Sequence, residues 1–406
     1  MVKKGSGPVA PFFMPPTLPA RQFFSAFLMA LLTGWKFFPS WMARHGTRCI
    51  PGASGALGMG CIGFPNHPVW EVTSRCNLDC IHCHARGSRQ NGPELSTSEG
   101  LALLDELAKI PGFRMVAFTG GEPLVRDDLF SLLAHAKSLG FSGTIATNAT
   151  LVDFPTARKL RDNGIAIAAV SLDGCDPAAH DSVRGVRGSF DAAIEGIHAI
   201  TRAGIPLHIN ITVMNRNRER LGEIMELANQ LKAAIIIIYQ MVPVGRGRKM
   251  GEPTPGTAGH ADLVRFIAGA QSGSRAIIEP VAAPQYWAHL LERNTILPTV
   301  ALRLAGHLFF GCCAGRGFIY VKPDGEVWPC PFLEVSCGNT RDTPFSEIWK
   351  SSPVLARLRE RALRGKCGSC RYQAVCGGCR GRAYVMTGDF MQEDPFCFIK
   401  AERDER

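Results

Sequence analysis

Cys76-Asn77-Leu78-Asp79-Cys80-Ile81-His82-Cys83 follows directly on a short apolar run at residues 69–73, and its reading decides the fold. The spacing is C-x3-C-x2-C. Three thiolates on one tight loop can hold three irons of a cubane cluster, which leaves the fourth iron without a protein ligand. An open coordination position is what a catalytic metal site keeps and a structural one closes. On spacing alone the alternatives are a zinc site completed by His82 and His84, or unrelated core cysteines.

Outward from this loop the chain alternates. Short, mostly β-branched runs at residues 69–73, 115–119, 144–147, 166–172, 207–213 and 234–239 are separated by helical patterns at 98–109, 124–138, 156–163, 189–203 and 218–231. Strands alternating with helices predict an α/β fold with a parallel, barrel-like sheet. Active sites on such sheets lie at the C-terminal strand ends. The distinctive segments fall there: the cysteine triplet after the first run, Gly120-Gly121-Glu122-Pro123 after the second, Thr147-Asn148 after the third, Ser171-Leu172-Asp173-Gly174 after the fourth, Thr212-Val213-Met214-Asn215 after the fifth and Val242-Pro243-Val244-Gly245-Arg246-Gly247 after the sixth.

These motifs, in this order, resemble the radical S-adenosylmethionine (SAM) superfamily over residues 68–247. The resemblance implies a partial (β/α)6 TIM-like barrel of parallel strands. It implies a [4Fe-4S] cluster on Cys76, Cys80 and Cys83, with SAM bound at the open iron. It assigns SAM binding to Gly120, Gly121, Glu122, Pro123, Thr147, Asn148, Ser171, Asp173 and Asn215. Two glycines let the backbone approach a ligand closely, and Glu122 offers acceptor oxygens to the SAM ammonium. Ser171 and Asp173 lie by resemblance near the ribose, with Asn215 nearby, and residues 242–247 on the adenine side. The implied chemistry is reductive cleavage of SAM to a 5′-deoxyadenosyl radical that abstracts a substrate hydrogen, fed by a reductant such as flavodoxin or ferredoxin.

Of the 15 cysteines, nine lie in residues 312–397. An odd number of cysteines in so long a chain argues for a reducing compartment and metal-bound thiolates rather than disulfides. The order Cys312, Cys313, Gly325-x4-Cys330, Cys337, Cys367-x2-Cys370-x5-Cys376-x2-Cys379, Cys397 resembles a C-terminal cysteine-rich α+β SPASM domain, departing from it in the C-x2-C at Cys376–Cys379. The resemblance implies one or two auxiliary [4Fe-4S] clusters. One would use Cys313 (or Cys312), Cys330 and Cys379, with Cys312 or Cys337 as candidate fourth ligand or an open position. The other would use Cys367, Cys370, Cys376 and Cys397. Spacing alone also admits zinc ribbons. Cys49, Cys61 and Cys175 fit no pattern and read as buried small hydrophobes.

The expected organisation is a basic leader (1–67), the radical SAM partial barrel (68–247), a bridging region (248–310) and the SPASM-like domain (311–400). Hydrophobic residues make up 46% and mean hydropathy is +0.04, so a sizeable core is expected and wholesale disorder excluded. The net charge of +10 is unevenly spread, since Lys3, Lys4, Arg21, Lys36, Arg44 and Arg48 precede the first acid, Glu71. An acid-free leader suits an anionic partner. The apolar stretch 23–32 would span about 15 Å as a helix, half of a ~30 Å hydrocarbon core. It reads either as a helix docked on the protein or as an amphipathic helix giving membrane-surface contact through residues 20–44. The expected location is cytoplasmic, and peripheral at the membrane under the second reading. No Lys/Arg run with interleaved aromatics occurs in the barrel, so nucleic acid is not expected.

Several segments narrow the substrate. Trp70-Glu71-Val72-Thr73, Ala283-Pro284-Gln285-Tyr286, Ala314-Gly315-Arg316-Gly317, residues 376–384 and Asp394-Pro395-Phe396-Cys397 look like the branch that trims side chains of haem precursors, including haem d1. A polycarboxylate macrocycle suits a basic protein. The rivals are a peptide maturase, a lipid-modifying radical enzyme and a non-catalytic iron–sulfur electron carrier; the SAM-side motifs argue against the last. The substrate is thus a small molecule or a peptide.

Overall fold

The β-branched runs become strands because each is buried on both faces and must pair on both sides. In the computed structural model, which describes residues 67–87, 92–110, 113, 115–250, 255–270, 274–294 and 311–400, β1 (His67–Glu71), β2 (Met115–Thr119), β3 (Ser142–Thr147), β4 (Ile165–Ser171), β5 (Leu207–Val213) and β6 (Ile235–Gln240) lie side by side in parallel. The helices between them are α1 (Thr97–Ala108), α2 (Leu129–Ser138), α3 (Phe154–Asp162), α4 (Pro177–Arg184), α5 (Ser189–Arg202) and α6 (Leu221–Gln230). Residues 20–44, read above as a docked or membrane-surface helix, lie outside the described residues.

The parallel array does not stop at six strands. Four consecutive buried isoleucines, Ile235 to Ile238, need a neighbour on their far side. That neighbour is β7 (Ile277–Val281), in register Ile237↔Glu279, reached through α7 (Gly256–Ala270). Pro280 is tolerated there because β7 is the last strand of the sheet. At the opposite side, β8 (Phe318–Val321) pairs in parallel with β1, in register Val69↔Tyr320. From β8 the sheet continues antiparallel into β9 (Glu326–Trp328) and β10 (Gly338–Asn339), giving the order β10-β9-β8-β1-β2-β3-β4-β5-β6-β7. The sheet is therefore an open barrel, and both the bridging stretch and the cysteine-rich stretch contribute strands to it. The remaining helices are α8 (Gln285–Asn294), α9 (Phe345–Ser351), α10 (Pro353–Glu360), α11 (Gly365–Ser369) and α12 (Arg380–Thr387).

Helix boundaries follow local chemistry. α1 starts at a capping box in which the Ser96 hydroxyl accepts from the Glu99 N–H and the Glu99 carboxylate accepts from the Ser96 N–H. The single helix expected over 124–138 is split. Residues 123–125 form a 3-10 turn, and Arg126 is extended so that its guanidinium donates to the carbonyl of Leu95 (2.8 Å) and to Asp128. Helix α4 had no sequence signal beyond its Asp176 cap and Pro177, because it is only two turns long. Helix α10 ends at Glu360, since Arg361 takes a left-handed φ of +53° and its guanidinium donates to the carbonyls of Gln373 and Ala374.

The two faces of the sheet differ in side-chain size. The outer face is packed under the helices by Trp70, Phe118, Ile145, Val170, Ile209 and Ile236, all at or near zero exposure. The inner face carries Val69, Thr119, Ala146, Ser171 and Asn210, and these smaller groups leave the space that becomes the site.

One buried ion pair fastens the C-terminal part to the sheet. Arg382 donates to Asp394 through two nitrogens (2.7 and 2.6 Å), both side chains being fully buried, and its third nitrogen reaches the Ala282 carbonyl (2.8 Å) just after β7. Asp394 also accepts from Gln285 Nε2 (2.8 Å) and the Cys379 N–H (2.7 Å). Removing one partner strands a buried charge. Asp394→Ala is expected to lower stability by about 3–5 kcal/mol, read as the shift in urea midpoint of the anaerobic protein by circular dichroism.

Candidate functional site

The cysteine loop is moulded by backbone contacts with the next strand ends. Gly121 carries no Cβ where one would lie 2.2 Å from the Arg75 carbonyl, and the Gly121 and Glu122 N–H groups donate to Thr73 O and Arg75 O at 2.8 Å each. Gly245, at φ +57°, sits where a Cβ would come within 2.5 Å of the Cys83 and His84 carbonyls. These glycines serve the close approach of one protein loop to another.

The three sulfurs each face a donor. The Leu78 N–H donates to Cys76 Sγ (3.4 Å), the Gly87 N–H to Cys83 Sγ (3.3 Å), and Arg184 Nη1 to Cys80 Sγ (3.7 Å). Donors aimed at sulfur favour the thiolate. Burial opposes it and pushes the Cys76 thiol up to about 12. Buried thiols ringed by donors are the donor set a cationic cluster requires, so the residues fit the group. Among the described residues no three His, Cys, Asp or Glu side chains converge on the position of a single ion.

Asp173 underpins this arrangement. Burial alone would raise its pKa, but Arg184 (2.7 Å), then His82 (3.4 Å) and the Thr212 N–H (2.7 Å) hold it below the ordinary carboxylate value. Asp173 thus fixes Arg184 against Cys80 and is not among the residues lining the cavity. Glu122 is likewise outside the lining. Fully buried, it accepts from Thr147 Oγ1 (2.8 Å), the Asn148 N–H (2.8 Å) and the Leu124 N–H (3.2 Å), and burial lifts its pKa to about 7. Its oxygens hold the end of β3 in place. Pro123 begins the turn that Glu122 caps and is also outside the cavity lining. Asn215 is half-buried outside the lining; the buried Asn217 instead braces the β5 end, donating to the carbonyls of Thr212 (2.9 Å) and Asp173 (3.1 Å).

The strand ends surround one cavity, with about 1630 Å3 of empty space counting its open mouth. Of the expected residues, Cys76, Cys80, Cys83, Gly120, Gly121, Thr147, Asn148 and Ser171 line it. So do Arg184, Asn210 and Gln240, which sequence reasoning passed over, and Thr212, which it named in the fifth strand-end segment without a role. Both polar atoms of the buried Gln240 amide, and Asn210 Oδ1, have no partner among the described residues. Unpaired buried polar atoms on a cavity wall are what a bound polar ligand such as SAM would satisfy. Asn210 was readable as a lone amide inside the apolar run 207–213; Arg184 carried no such signal.

The C-terminal cysteines divide between two cavities. Cys312, Cys313, Cys330 and Cys379 line the same large cavity. Cys367, Cys370, Cys376 and Cys397 line a second one of about 370 Å3 of empty space. There the Asp394 N–H and Arg380 Nη2 donate to Cys367 Sγ (3.4 and 3.6 Å), and the Gly378 N–H to Cys376 Sγ (3.4 Å). Cys337 belongs to neither and packs against the main core. Cys175 is half-buried next to Glu223 (3.4 Å).

Residues 70–228 match the radical SAM superfamily and residues 312–379 the SPASM iron–sulfur cluster-binding domain. The chain is 36% identical to an AdoMet-dependent heme synthase of Methanosarcina barkeri, over 84% of this chain and 99% of the relative. It is 34% identical to an Fe-coproporphyrin III synthase of the same organism, over 82% and 88%. Its fold matches that of Streptococcus suis SuiB bound to precursor peptide SuiA, with a TM-score of 0.65 at 21% identity, over 83% of this chain and 76% of that one.

Beside the site, Glu71 is buried with its carboxyl accepting from Tyr320 OH (2.8 Å), and burial raises its pKa from 4.5 to about 8. Between those values the folded state keeps a proton that the unfolded state releases, so this group costs stability progressively as pH rises to about 8. Glu71→Gln is expected to remove that slope. Urea unfolding at pH 6.5 and 8.0 should show the variant gaining on the wild type by up to about 2 kcal/mol over the interval.

Proposed function

Since the chain belongs to the radical SAM superfamily and carries a SPASM iron–sulfur domain, we propose that it modifies the peripheral side chains of an iron tetrapyrrole by abstracting a hydrogen atom from them. The observation that carries this reading is near end-to-end similarity to two tetrapyrrole enzymes. The cavity supports it, because Phe318, Tyr320 and Phe332 give an aromatic wall suited to a flat macrocycle.

Cys76, Cys80 and Cys83 would hold the cluster. Gly120, Gly121, Thr147, Asn148 and Ser171, joined by Asn210, Thr212 and Gln240, would hold SAM. When bound, the pair supplies reductive cleavage of the sulfonium and a 5′-deoxyadenosyl radical. The chain's own part is electrostatic and steric. Arg184 places a positive charge on Cys80 Sγ, where an arriving electron adds negative charge; hydrogen bonds to cluster sulfurs are a recognised control of potential. Glu122, Pro123 and Asp173 act as struts behind the wall. The largely apolar cavity excludes water that would otherwise intercept a reactive intermediate.

Cys312, Cys313, Cys330 and Cys379 would hold one auxiliary cluster, and Cys367, Cys370, Cys376 and Cys397 the other. In the proposed division, 1–67 is the leader, 68–247 the radical SAM core, 248–310 a bridge that completes the sheet, and 311–400 the auxiliary-cluster domain. Radical SAM chemistry needs a reductant; flavodoxin or ferredoxin and a cytoplasmic setting fit that need. Among the described residues no helix is long and apolar enough to cross a membrane. Membrane-surface contact through residues 20–44 rests on their acid-free basic composition.

Anaerobic, reconstituted protein given SAM, dithionite and iron coproporphyrin III should form 5′-deoxyadenosine together with a change in tetrapyrrole mass, followed by mass spectrometry. The Cys76/Cys80/Cys83→Ala variant should form neither. Deoxyadenosine without any change in the tetrapyrrole would sink the substrate reading and turn attention to a peptide. Cys312→Ala should lower iron per chain by up to one cluster's worth, whereas Cys337→Ala should leave it unchanged.

A further inference from the structure

We propose that His84 is an axial ligand to the iron of the tetrapyrrole substrate; this rests on the reading just given. The histidines around the site divide by what they touch. His180 Nδ1 accepts from the Asp173 N–H at 3.3 Å and belongs to the frame. His82 lines the cavity as well, with its Nδ1 unpartnered among the described residues, but its Nε2 is tied to Asp173 at 3.4 Å. His84 differs. Among the described residues its imidazole meets only ring edges, those of Tyr320 (centroids 6.2 Å apart) and Phe332 (5.8 Å), and it lines the large cavity.

Its backbone is held as firmly as that of the cysteines. The Arg246 N–H donates to the carbonyl of Cys83 (2.9 Å), and Gly245 packs on the carbonyls of Cys83 and His84. The result is a pinned backbone carrying an imidazole with no structural duty, set in the same wall as the aromatic rings. Imidazole is a common axial ligand of haem iron. The flanking Tyr320 and Phe332 rings offer the apolar surface on which a macrocycle packs, and Tyr320 is itself backed by Trp328, stacked at 6.4 Å. Fixing the iron beside the cysteine loop would hold the macrocycle in one place, so that its periphery, where the reaction occurs, is set by the ligand bond rather than by carboxylate contacts alone. His82, Tyr239 and Met241 also line this cavity and carry atoms able to ligate iron, so the test must tell them from His84; an iron–histidine band supplied by His82 would survive substitution of His84.

The test uses the full chain with its clusters reconstituted and is made without turnover. Ferrous coproporphyrin III bound to the wild type should give an iron–histidine stretching band by resonance Raman with Soret excitation. The band should vanish in His84→Ala and persist in Met241→Leu. Binding of iron coproporphyrin III to His84→Ala should weaken about tenfold, while binding of metal-free coproporphyrin III, followed by fluorescence, should be little changed. His84→Gln, which retains more bulk, replaces the alanine variant if the latter loses cluster iron. If the band survives both substitutions at His84 while the tetrapyrrole still binds, the ligand assignment is wrong and the substrate reading stands. If the wild type binds neither porphyrin, the substrate reading itself fails and the assignment goes with it.

Discussion

Asp173 is a carboxylate taken wholly out of water, and the site is organised around keeping it charged. A buried carboxylate is costly unless paired and hydrogen-bonded. Here the pairing is with Arg184, from the far end of α4, and the hydrogen bond is from the backbone of β5. Satisfying that one charge brings α4 onto the cysteine loop, where the Asp79 and Ile81 N–H groups donate to the Arg184 and Val183 carbonyls (3.1 and 3.0 Å). The guanidinium that neutralises Asp173 is also the donor to Cys80 Sγ. Charge compensation, loop position and the electrostatics of the sulfur are thus one constraint met by three elements.

The sequence was most legible where function and local geometry coincide. The cysteine loop, the glycines after β2 and the strand-end segments are contiguous, and their residue types are required by chemistry. The parallel α/β architecture was legible because β-branched runs alternate with helical periodicity. Less legible were residues whose role depends on distant partners. Glu122 and Asp173 look like ligand-facing acids in one dimension, yet their oxygens are consumed by Thr147, Asn148, Arg184 and a backbone N–H. Arg184 lies on a helix too short to announce itself, and Asn210 is an amide hidden in an apolar strand. The six expected strands became eight parallel ones because β7 and β8 are short, and only their neighbours' unpaired edges call for them. Which of Cys312 and Cys337 shares a cavity with Cys330 was not legible either, being a matter of packing rather than spacing.

The small side chains of the inner sheet face share their cavity with a second group of cysteines. Cys312, Cys313, Cys330 and Cys379 line it together with the Cys76 loop, Tyr320 and Phe332. Two cysteine-lined sites therefore share one apolar chamber, whereas the Cys367 group lies in a chamber of its own. Under the proposed function, a substrate held in the shared chamber would share it with both cysteine groups, which would suit a reaction in which hydrogen abstraction leaves an electron to be disposed of.

The pairing of β8 with β1 bears on how the chain is made. Val69 and Tyr320 are register partners roughly 250 residues apart, a long-range pairing of the kind that folds late. A ribosome adding ~5–20 residues per second exposes β1 for tens of seconds before its neighbour emerges. During that interval β1 has an open edge, and the nascent barrel is an edge-exposed, cysteine-bearing intermediate until β8 arrives to pair with it.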